Sequence, residues 1–219
     1  MKIGILGAGR IGSSYGRMWA ERGHQVTFSF SRDSERIRQV AEAVGYGARS
    51  VGLARVAAEE ADALLLSVPV AVVPLALQEL GPLEGQLLID CTNAVGAVPD
   101  FVDGHASVAE AVAALSPGVQ VVKSFNTVFA PVVAAGAHRF GGVRAMMLFC
   151  GGDADAKQSV VGLIKDAGFE PADLGGLDQA HLVEEFARTV ITLAHRQGVG
   201  LFGLKMLRQA ARNKERGMS

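Results

Sequence analysis

The chain has little cysteine and almost no net charge, and these two features argue against disulfide-rich, nucleic-acid-binding and membrane-surface proteins. Only two cysteines, Cys91 and Cys150, occur in 219 residues, and each lies at the end of an apolar, strand-like run. This excludes a disulfide scaffold and predicts buried, reduced thiols. Charges nearly cancel, with 21 basic and 22 acidic residues, so no global field attracts nucleic acid or an anionic membrane surface.

Long hydrophobic runs are also lacking. The longest uncharged apolar stretch, from Ala63 to Leu77, is too short to span a bilayer and contains two prolines. Glycine interrupts the N-terminal apolar run at once, unlike a secretory signal. No His-Glu-x-x-His, paired Cys-x-x-Cys or P-loop pattern occurs, so no metal site is predicted. We therefore expect a soluble, cytoplasmic protein with no membrane or nucleic-acid partner.

What is present is an alternation of short apolar runs with longer helical patterns. Strands are predicted near residues 2–6, 25–30, 63–68, 86–90, 119–124, 144–150 and 170–174, with a shorter one near 48–51. Helices are predicted near residues 10–22, 33–45, 70–80, 105–115, 154–167 and 178–196. Runs that are apolar on both faces are typical of strands buried between two helix layers. The sequence therefore predicts an α/β fold with a Rossmann-type doubly wound parallel sheet.

A segment rich in small residues and turn signals, residues 130–143, divides the predicted pattern. We place a domain boundary there. Residues 1–138 would form the Rossmann domain, and residues 139–219 a small C-terminal α/β extension that closes the cleft.

Three glycines stand between the first predicted strand and the first predicted helix. The pattern G-x-G-x-x-G is matched by Gly7-Ala8-Gly9-Arg10-Ile11-Gly12. The first glycine permits a tight turn, the second lets the backbone approach a pyrophosphate, and the third lets the helix pack on the strand. The helix N-terminus then offers free amides and a partial positive charge to phosphates. In this position the pattern predicts a dinucleotide-binding site.

The end of the second predicted strand indicates which dinucleotide binds. An NAD site usually has an acidic residue there, about 20 positions beyond the glycines, for the ribose hydroxyls. This chain instead has Ser31 and Arg32, with Arg36 one helical turn beyond, and these can bind a 2′-phosphate. Asp33 is interpreted as the N-cap of the second helix. The sequence therefore favours NADP over NAD.

Ligands of open α/β sheets lie outside the carboxyl ends of the strands, so the residues that follow each strand are further candidates. These residues are Ser67-Val68-Pro69, Cys91-Thr92-Asn93 and Ser124-Phe125-Asn126-Thr127. The amides of Asn93 and Asn126 offer hydrogen bonds to a carboxamide or a ring carbonyl. Asparagine also favours turns, so a purely local role for each stays open.

Acid–base machinery is sparse. Lys123, on the sixth strand, is a weak candidate for a proton donor, and no histidine stands in a pattern that makes a nucleophile. Glu184 and Arg188 are spaced to form an i,i+4 ion pair on the last helix. Hydride transfer between planar rings needs proximity and orientation more than an acid, which favours a cofactor-to-cofactor reductase over a carbonyl reductase.

Together these residues resemble a known family, the NADP oxidoreductases that depend on the deazaflavin coenzyme F(420). The resemblance rests on the glycine pattern, Ser31-Arg32, Ser67-Val68-Pro69, Val122-Lys123-Ser124-Phe125-Asn126-Thr127, Cys150-Gly151-Gly152-Asp153 and Leu182-Val183-Glu184. The chain is also similar to the cytosolic domain of six-transmembrane ferric reductases. The Phe-Asn form of the fourth motif resembles that second branch more closely, because deazaflavin reductases tend to have His-Thr there.

The resemblance implies roles for the matched residues. The glycine loop would hold the pyrophosphate, and Ser31, Arg32 and Arg36 the 2′-phosphate. The inner ribose would lie at Val68 and Pro69, and the nicotinamide at Asn126 and Thr127. The second substrate would be coenzyme F(420), FMN or FAD, and the family implies a homodimer.

Two other functions stay open. One is a non-catalytic NADP(H)-binding redox sensor, which a plugged cleft beside Phe125 and Phe129 would favour. The other is a reductase of a small carbonyl or imine, although such enzymes append a long all-helical domain and only about seventy residues, including another predicted strand, follow the predicted strand at 144–150 here.

Overall fold

The computed structural model describes residues 1–31, 33–94, 98–128, 130–136, 138–197 and 201–207. The strands in these ranges are β1 (Lys2–Leu6), β2 (Gln25–Ser29), β3 (Arg49–Ser50), β4 (Ala63–Leu66), β5 (Leu87–Asp90), β6 (Gln120–Ser124), β7 (Arg139–Phe140), β8 (Val143–Arg144), β9 (Met146–Gly151) and β10 (Glu170–Asp173). The α-helices are α1 (Arg10–Glu21), α2 (Ser34–Val44), α3 (Ala54–Glu60), α4 (Val73–Leu80), α5 (Val108–Leu115), α6 (Ala130–Ala134), α7 (Ala154–Asp166) and α8 (Ala180–Gln197).

Eight strands form one sheet in the order β10-β9-β6-β5-β4-β1-β2-β3. Strands β1 to β6 are mutually parallel, whereas β9 pairs antiparallel with β6, and β10 runs parallel to β9. Strands β7 and β8 form a separate hairpin. The strand order reverses between β1 and β4, and this reversal opens a crevice at their carboxyl ends.

The sheet is buried on both faces because its strands place apolar side chains on each side in turn. In β4, Leu64 and Leu66 belong to one hydrophobic cluster and Leu65 to the other. Tyr15 and Trp19 of α1 cover the second of these faces, and α4 and α5 cover the first. This double burial explains why the central strands are apolar without alternation.

The predicted fold class, a Rossmann-type doubly wound sheet, is confirmed, with three differences in detail. The expectation of a fully parallel sheet is wrong for β9 and β10, which run opposite to the other six strands of the sheet. The pattern also missed the short helices α3 and α6. Helix α5 begins at Val108 and not near residue 105, because the Ser107 hydroxyl accepts a hydrogen bond from Glu110 N and caps it. The domain boundary near residue 138 stays a prediction.

Burial also determines the chemistry of the cysteines. Cys91 and Cys150 are both free and buried, and burial raises the pKa of each thiol to about 12. Neither thiol is a nucleophile at neutral pH.

Among the described residues, no group of three or more His, Cys, Asp or Glu side chains is arranged to hold a metal ion. Of the described helices, none is both long and apolar enough to cross a bilayer.

Candidate functional site

The glycine loop between β1 and α1 contains two glycines that packing requires. Gly7 has a φ of +98°, and a Cβ atom there would lie 2.5 Å from the Ser67 carbonyl oxygen. A Cβ on Gly12 would lie 2.5 Å from the Gly7 carbonyl oxygen. The glycine loop, α1 and the end of β4 are therefore in close contact, as the first and third glycines of the pattern predict.

Gly9 differs from both because no protein atom needs the space beside it. A Cβ atom there would meet nothing within 4 Å, and its φ of −75° is available to any residue. Gly9 is also the N-cap of α1, and it supplies no side-chain cap to the first amides of the helix. The first turn has no acidic residue. The loop therefore presents open space and free N–H donors, which is the geometry of an anion cradle.

The end of β2 is shaped by local hydrogen bonds. Asp33 caps α2 by accepting from Arg36 N at 3.0 Å, as predicted, so its Oδ1 is engaged by the first turn of the helix. The Ser31 hydroxyl donates to Asp33 O at 2.9 Å. Arg36 lies exposed in the first turn of α2, and Arg32 lies outside the described residues. Of the three residues predicted to bind the 2′-phosphate, the structure therefore places Ser31 and Arg36 just after the end of β2.

At the end of β4, Ser67 lies against the glycine loop, and Ser67 N donates to Leu6 O of β1 at 2.9 Å. Val68 is buried and Pro69 is exposed, at the start of a short 3-10 turn. The glycine loop and the end of β4 therefore meet at the crevice between β1 and β4, as the sequence predicts.

The loops that follow β5 and β6 are joined by a pair of asparagines. Asn126 Nδ2 donates to Asn93 Oδ1 at 3.0 Å, and Asn93 Nδ2 donates to the Asn126 carbonyl at 3.2 Å. Asn126 is buried, with only 6% of its surface exposed, and its Oδ1 has no hydrogen-bond partner. A buried acceptor without a donor costs free energy, so an incoming N–H group would be favoured there.

Phe125 turns the chain so that Asn126 leaves the sheet. Its φ is +62°, a left-handed conformation that costs a bulky residue roughly 1–3 kcal/mol. The buried ring packs edge-on against Tyr15, with centroids 4.9 Å apart, and against Trp19 at 5.3 Å. Thr127, by contrast, directs its hydroxyl to β9, where Leu148 N donates to it at 3.4 Å. Its predicted contact with the nicotinamide stays a prediction.

Lys123 lies in a buried network that the sequence did not predict. Its Nζ donates to Asp90 Oδ2 at 2.8 Å and to the Thr92 carbonyl at 2.6 Å, and it lies 3.0 Å from Glu184 Oε1. Burial by itself would lower the pKa of this ammonium, but the Asp90 and Glu184 carboxylates outweigh it and hold the pKa above its ordinary value. With three acceptors for its three protons, Lys123 is structural and is a poor proton donor.

Glu184 is the residue whose ion-pair partner sequence reasoning misassigned. The expected pair with Arg188 is wrong, because Arg188 Nη1 donates to Glu185 at 3.0 Å. Glu184 instead reaches Lys123 and accepts from Val108 N and Ala109 N at the start of α5. A lysine inside a buried strand signals that acidic partners must exist, but the adjacent glutamates at 184 and 185 are equivalent by spacing.

A cavity of about 460 Å³ lies between the loop after β5, the start of α5 and α8. Its walls include Asn93, His105, Val108, His181, Glu184 and Thr192. The volume is within the range of small-molecule sites. A larger cavity, about 630 Å³, opens beside α3 and the N-terminus of α7 and contains none of the predicted site residues. The cavity beside Asn93 is therefore the candidate for a second ligand.

Comparison with known proteins identifies the family. Residues 2–94 match the family described as NADP oxidoreductase, coenzyme F(420)-dependent. A structure from Arthrobacter assigned as an F(420)-dependent NADP reductase is 25% identical, covers 95% of this chain and all of its own, and superposes with a TM-score of 0.80. The chain belongs to this family of NADP oxidoreductases.

Two other proteins are similar to the chain, one over most of its length and one over about half. A hypothetical protein from Sinorhizobium meliloti is 30% identical over 81% of this chain and 86% of its own, with a TM-score of 0.71. Metalloreductase STEAP3 from Rattus norvegicus is 35% identical over 102 residues, which is 47% of this chain but only 20% of that protein. The chain therefore spans about a fifth of that curated relative.

Imine-reducing enzymes share the fold alone. A reductive aminase from Aspergillus terreus in complex with NADPH is 19% identical, with a TM-score of 0.65 over 89% of this chain and 61% of its own.

Proposed function

We propose that this NADP-dependent oxidoreductase transfers hydride between NADPH and a deazaflavin, coenzyme F(420), or a flavin such as FMN or FAD. The observation that carries the proposal is the cavity beside Asn93, at the sheet edge that also bears the glycine loop. In this pairing NADPH supplies a hydride and leaves as NADP⁺, and the oxidised ring accepts the hydride together with a proton from solvent.

The residues present fit NADP(H). The open space at Gly9 and the uncapped start of α1 would hold the pyrophosphate, with Ala8, Arg10 and Ile11 of the same loop around it. Ser31, Arg32 and Arg36 would hold the 2′-phosphate, which an acidic residue would repel. The unpartnered Asn126 Oδ1 would accept from the nicotinamide carboxamide, beside its partner Asn93. Ser67, Val68 and Pro69, at the end of β4, would border the ribose.

The catalytic contribution of the protein would be orientation. Lys123 is saturated by acceptors, so it would not supply a proton to the second substrate. Phe125 packs into the core against Tyr15 and Trp19, so it does not fill the cavity beside Asn93. Phe129, the second residue of the predicted plug, lies outside the described residues. An open cavity supports the enzyme over the non-catalytic sensor.

The acceptor panel tests this proposal. Purified protein is mixed with NADPH and with F(420), FMN, FAD or a small imine or ketone, and NADPH absorbance is followed by stopped flow. At least one ring acceptor should oxidise bound NADPH faster than free NADPH. If NADPH binds but no acceptor oxidises bound NADPH faster than free NADPH, the protein is a non-catalytic NADP(H) sensor and not an enzyme. Turnover of only the imine or ketone would indicate a small-substrate reductase.

Replacing Arg32 tests the choice of dinucleotide. The variant Arg32→Ala should bind NADPH about ten- to a hundredfold more weakly, because a charge-assisted contact contributes about 1.5–3 kcal/mol. Its affinity for NADH should stay almost unchanged, because NADH has no 2′-phosphate. Fluorescence titration with both dinucleotides measures this. Arg22→Ala, an exposed arginine beyond the end of α1, is the control and should change neither affinity. Equal losses for NADPH and NADH in Arg32→Ala would contradict a phosphate contact.

Replacing Asn126 tests the nicotinamide end. The variant Asn126→Ala should lower the hydride-transfer rate at saturating NADPH by up to about a hundredfold, because a ring misplaced by about 1 Å reacts that much more slowly. The NADPH affinity should change far less, since the phosphate contacts are untouched. Gln78→Ala, an exposed amide on α4, is the control. A loss confined to affinity would count against this role.

Two further properties are part of the proposal. We propose a homodimer in the cytoplasm, on the resemblance to the family. Size-exclusion chromatography with light scattering tests the dimer, and cell fractionation tests the location.

A further inference from the structure

Three charged side chains from different elements meet between the sheet and α8. We call Asp90 of β5, Lys123 of β6 and Glu184 of α8 the buried triad. The side chains of Asp90 and Lys123 are fully buried, and that of Glu184 is 13% exposed. Every proton of the lysine ammonium has an acceptor, so the buried triad has no role as an acid.

Stability alone does not account for this arrangement. Well-packed apolar residues often replace a buried ion pair with no loss of stability, because desolvation offsets much of the attraction between the charges. The polar groups do, however, impose one geometry, since each donor must meet its acceptor. The buried triad is therefore suited to fixing the positions of the segments that carry it.

Those segments lead directly to the asparagine pair. Asp90 and Lys123 are register partners in the ladder between β5 and β6. Asn93 and Asn126 each follow three residues later and form the next cross-link. Between them, Thr92 donates to Asp90 Oδ1 from its backbone N at 2.9 Å and from its hydroxyl at 2.7 Å. Residues 91–93, which directly follow β5, are thereby held between two polar cross-links.

Glu184 extends this unit to the cavity. Besides contacting Lys123, its carboxylate accepts from Val108 N at 3.1 Å and Ala109 N at 3.2 Å, which ties α8 to the start of α5. Glu184, Val108 and Asn93 are all cavity walls. One carboxylate therefore joins the wall of the cavity to the loops that carry the asparagines.

We infer that Glu184 is a positioning residue for hydride transfer. Through Lys123 and Asp90 it holds Asn93 and Asn126 against the nicotinamide, so that the cavity wall and the nicotinamide-side loops keep one relative position. The inference rests on the proposed function for its effect on rate. It concerns orientation of the bound ring and leaves the phosphate contacts of the glycine loop unaffected.

The test compares two variants with a matched control. Glu184→Gln keeps the shape but removes the charge, and Thr92→Val removes one hydrogen bond to Asp90 without changing the charge of the triad. Glu59→Gln, in an exposed pair with Arg55 at 3.0 Å, is the control. The readouts are NADPH affinity, the rate of hydride transfer at saturating NADPH, and the circular dichroism of the bound nicotinamide. Trp19 fluorescence reports folding, because the indole is buried and donates to Leu163 O.

We expect both variants to keep NADPH affinity within about threefold and to lower the transfer rate at saturating NADPH by about ten- to a hundredfold. The dichroism of the bound nicotinamide should change with the rate, and the control should resemble wild type. An unchanged dichroism and rate in folded variants would overturn the inference, and so would a loss of rate that follows lost affinity. If wild type reduces no acceptor, the proposed function fails, and the dichroism by itself decides whether the triad orients the ring.

Discussion

Replacing Gly9 with valine should abolish NADPH binding while the protein stays folded. The physical reason is that residue 9 has an ordinary φ of −75° and that a Cβ atom would meet no protein atom within 4 Å. A valine side chain would therefore occupy only the space in front of the α1 N-terminus, where the pyrophosphate would approach the backbone. Fluorescence titration measures the loss of binding, and circular dichroism and thermal unfolding measure the fold.

Two other glycines serve as controls for that variant. Gly162→Val, on the exposed side of α7 and also in open space, should fold and bind NADPH normally. Gly12→Val should destabilise the fold itself, because its Cβ would lie 2.5 Å from the Gly7 carbonyl oxygen. Normal NADPH binding by Gly9→Val would show that the dinucleotide site lies elsewhere.

Replacing Lys123 with methionine should lower the free energy of unfolding by about 3–5 kcal/mol. The variant would leave the Asp90 carboxylate fully buried, and that of Glu184 nearly so, without the ammonium that compensates them. Urea unfolding followed by Trp19 fluorescence measures the difference. Lys157→Met, which removes a partly exposed pair with Asp173, is the matched control and should cost about 1 kcal/mol or less. A Lys123→Met variant as stable as wild type would refute the compensating role.

The pH dependence of this difference has a defined sign. Because the folded-state pKa of Lys123 is raised above 10.5, its contribution to stability is fully present below that pH. The contribution is lost as the pH rises through the raised pKa. The gap in unfolding free energy between wild type and Lys123→Met should therefore narrow in strongly alkaline solution. A gap that is unchanged there would mean that the charge of Lys123 does not produce it.

Local patterns predicted the central strands and the starts of α1, α2 and α7 well. The apolar run of β4 and the Asp33 cap of α2 are produced by residues near one another in the chain, so a short window contains their cause. The same windows missed α3, a seven-residue helix with few periodic apolar positions. Short sequence windows also could not predict the direction of β9, because an apolar strand has the same composition whichever way it runs.

The candidate site divides in the same way. The glycine loop was predicted because its geometry depends on neighbouring residues and on the absence of Cβ atoms. The left-handed φ of Phe125 was not, because the aromatic packing that stabilises it comes from α1, more than one hundred residues earlier.

By itself, the sequence determined the doubly wound fold and the close packing at Gly7 and Gly12, since each depends on a short-range pattern. Only the tertiary structure decided that Glu184, and not its neighbour Glu185, reaches Lys123, and that β9 reverses beside β6. It also decided that a cavity adjoins Asn93. Those outcomes depend on desolvation and on which donors and acceptors meet after the chain folds. Glu184 and the Val108 amide that it accepts are 76 positions apart in the sequence, and only packing brings them together.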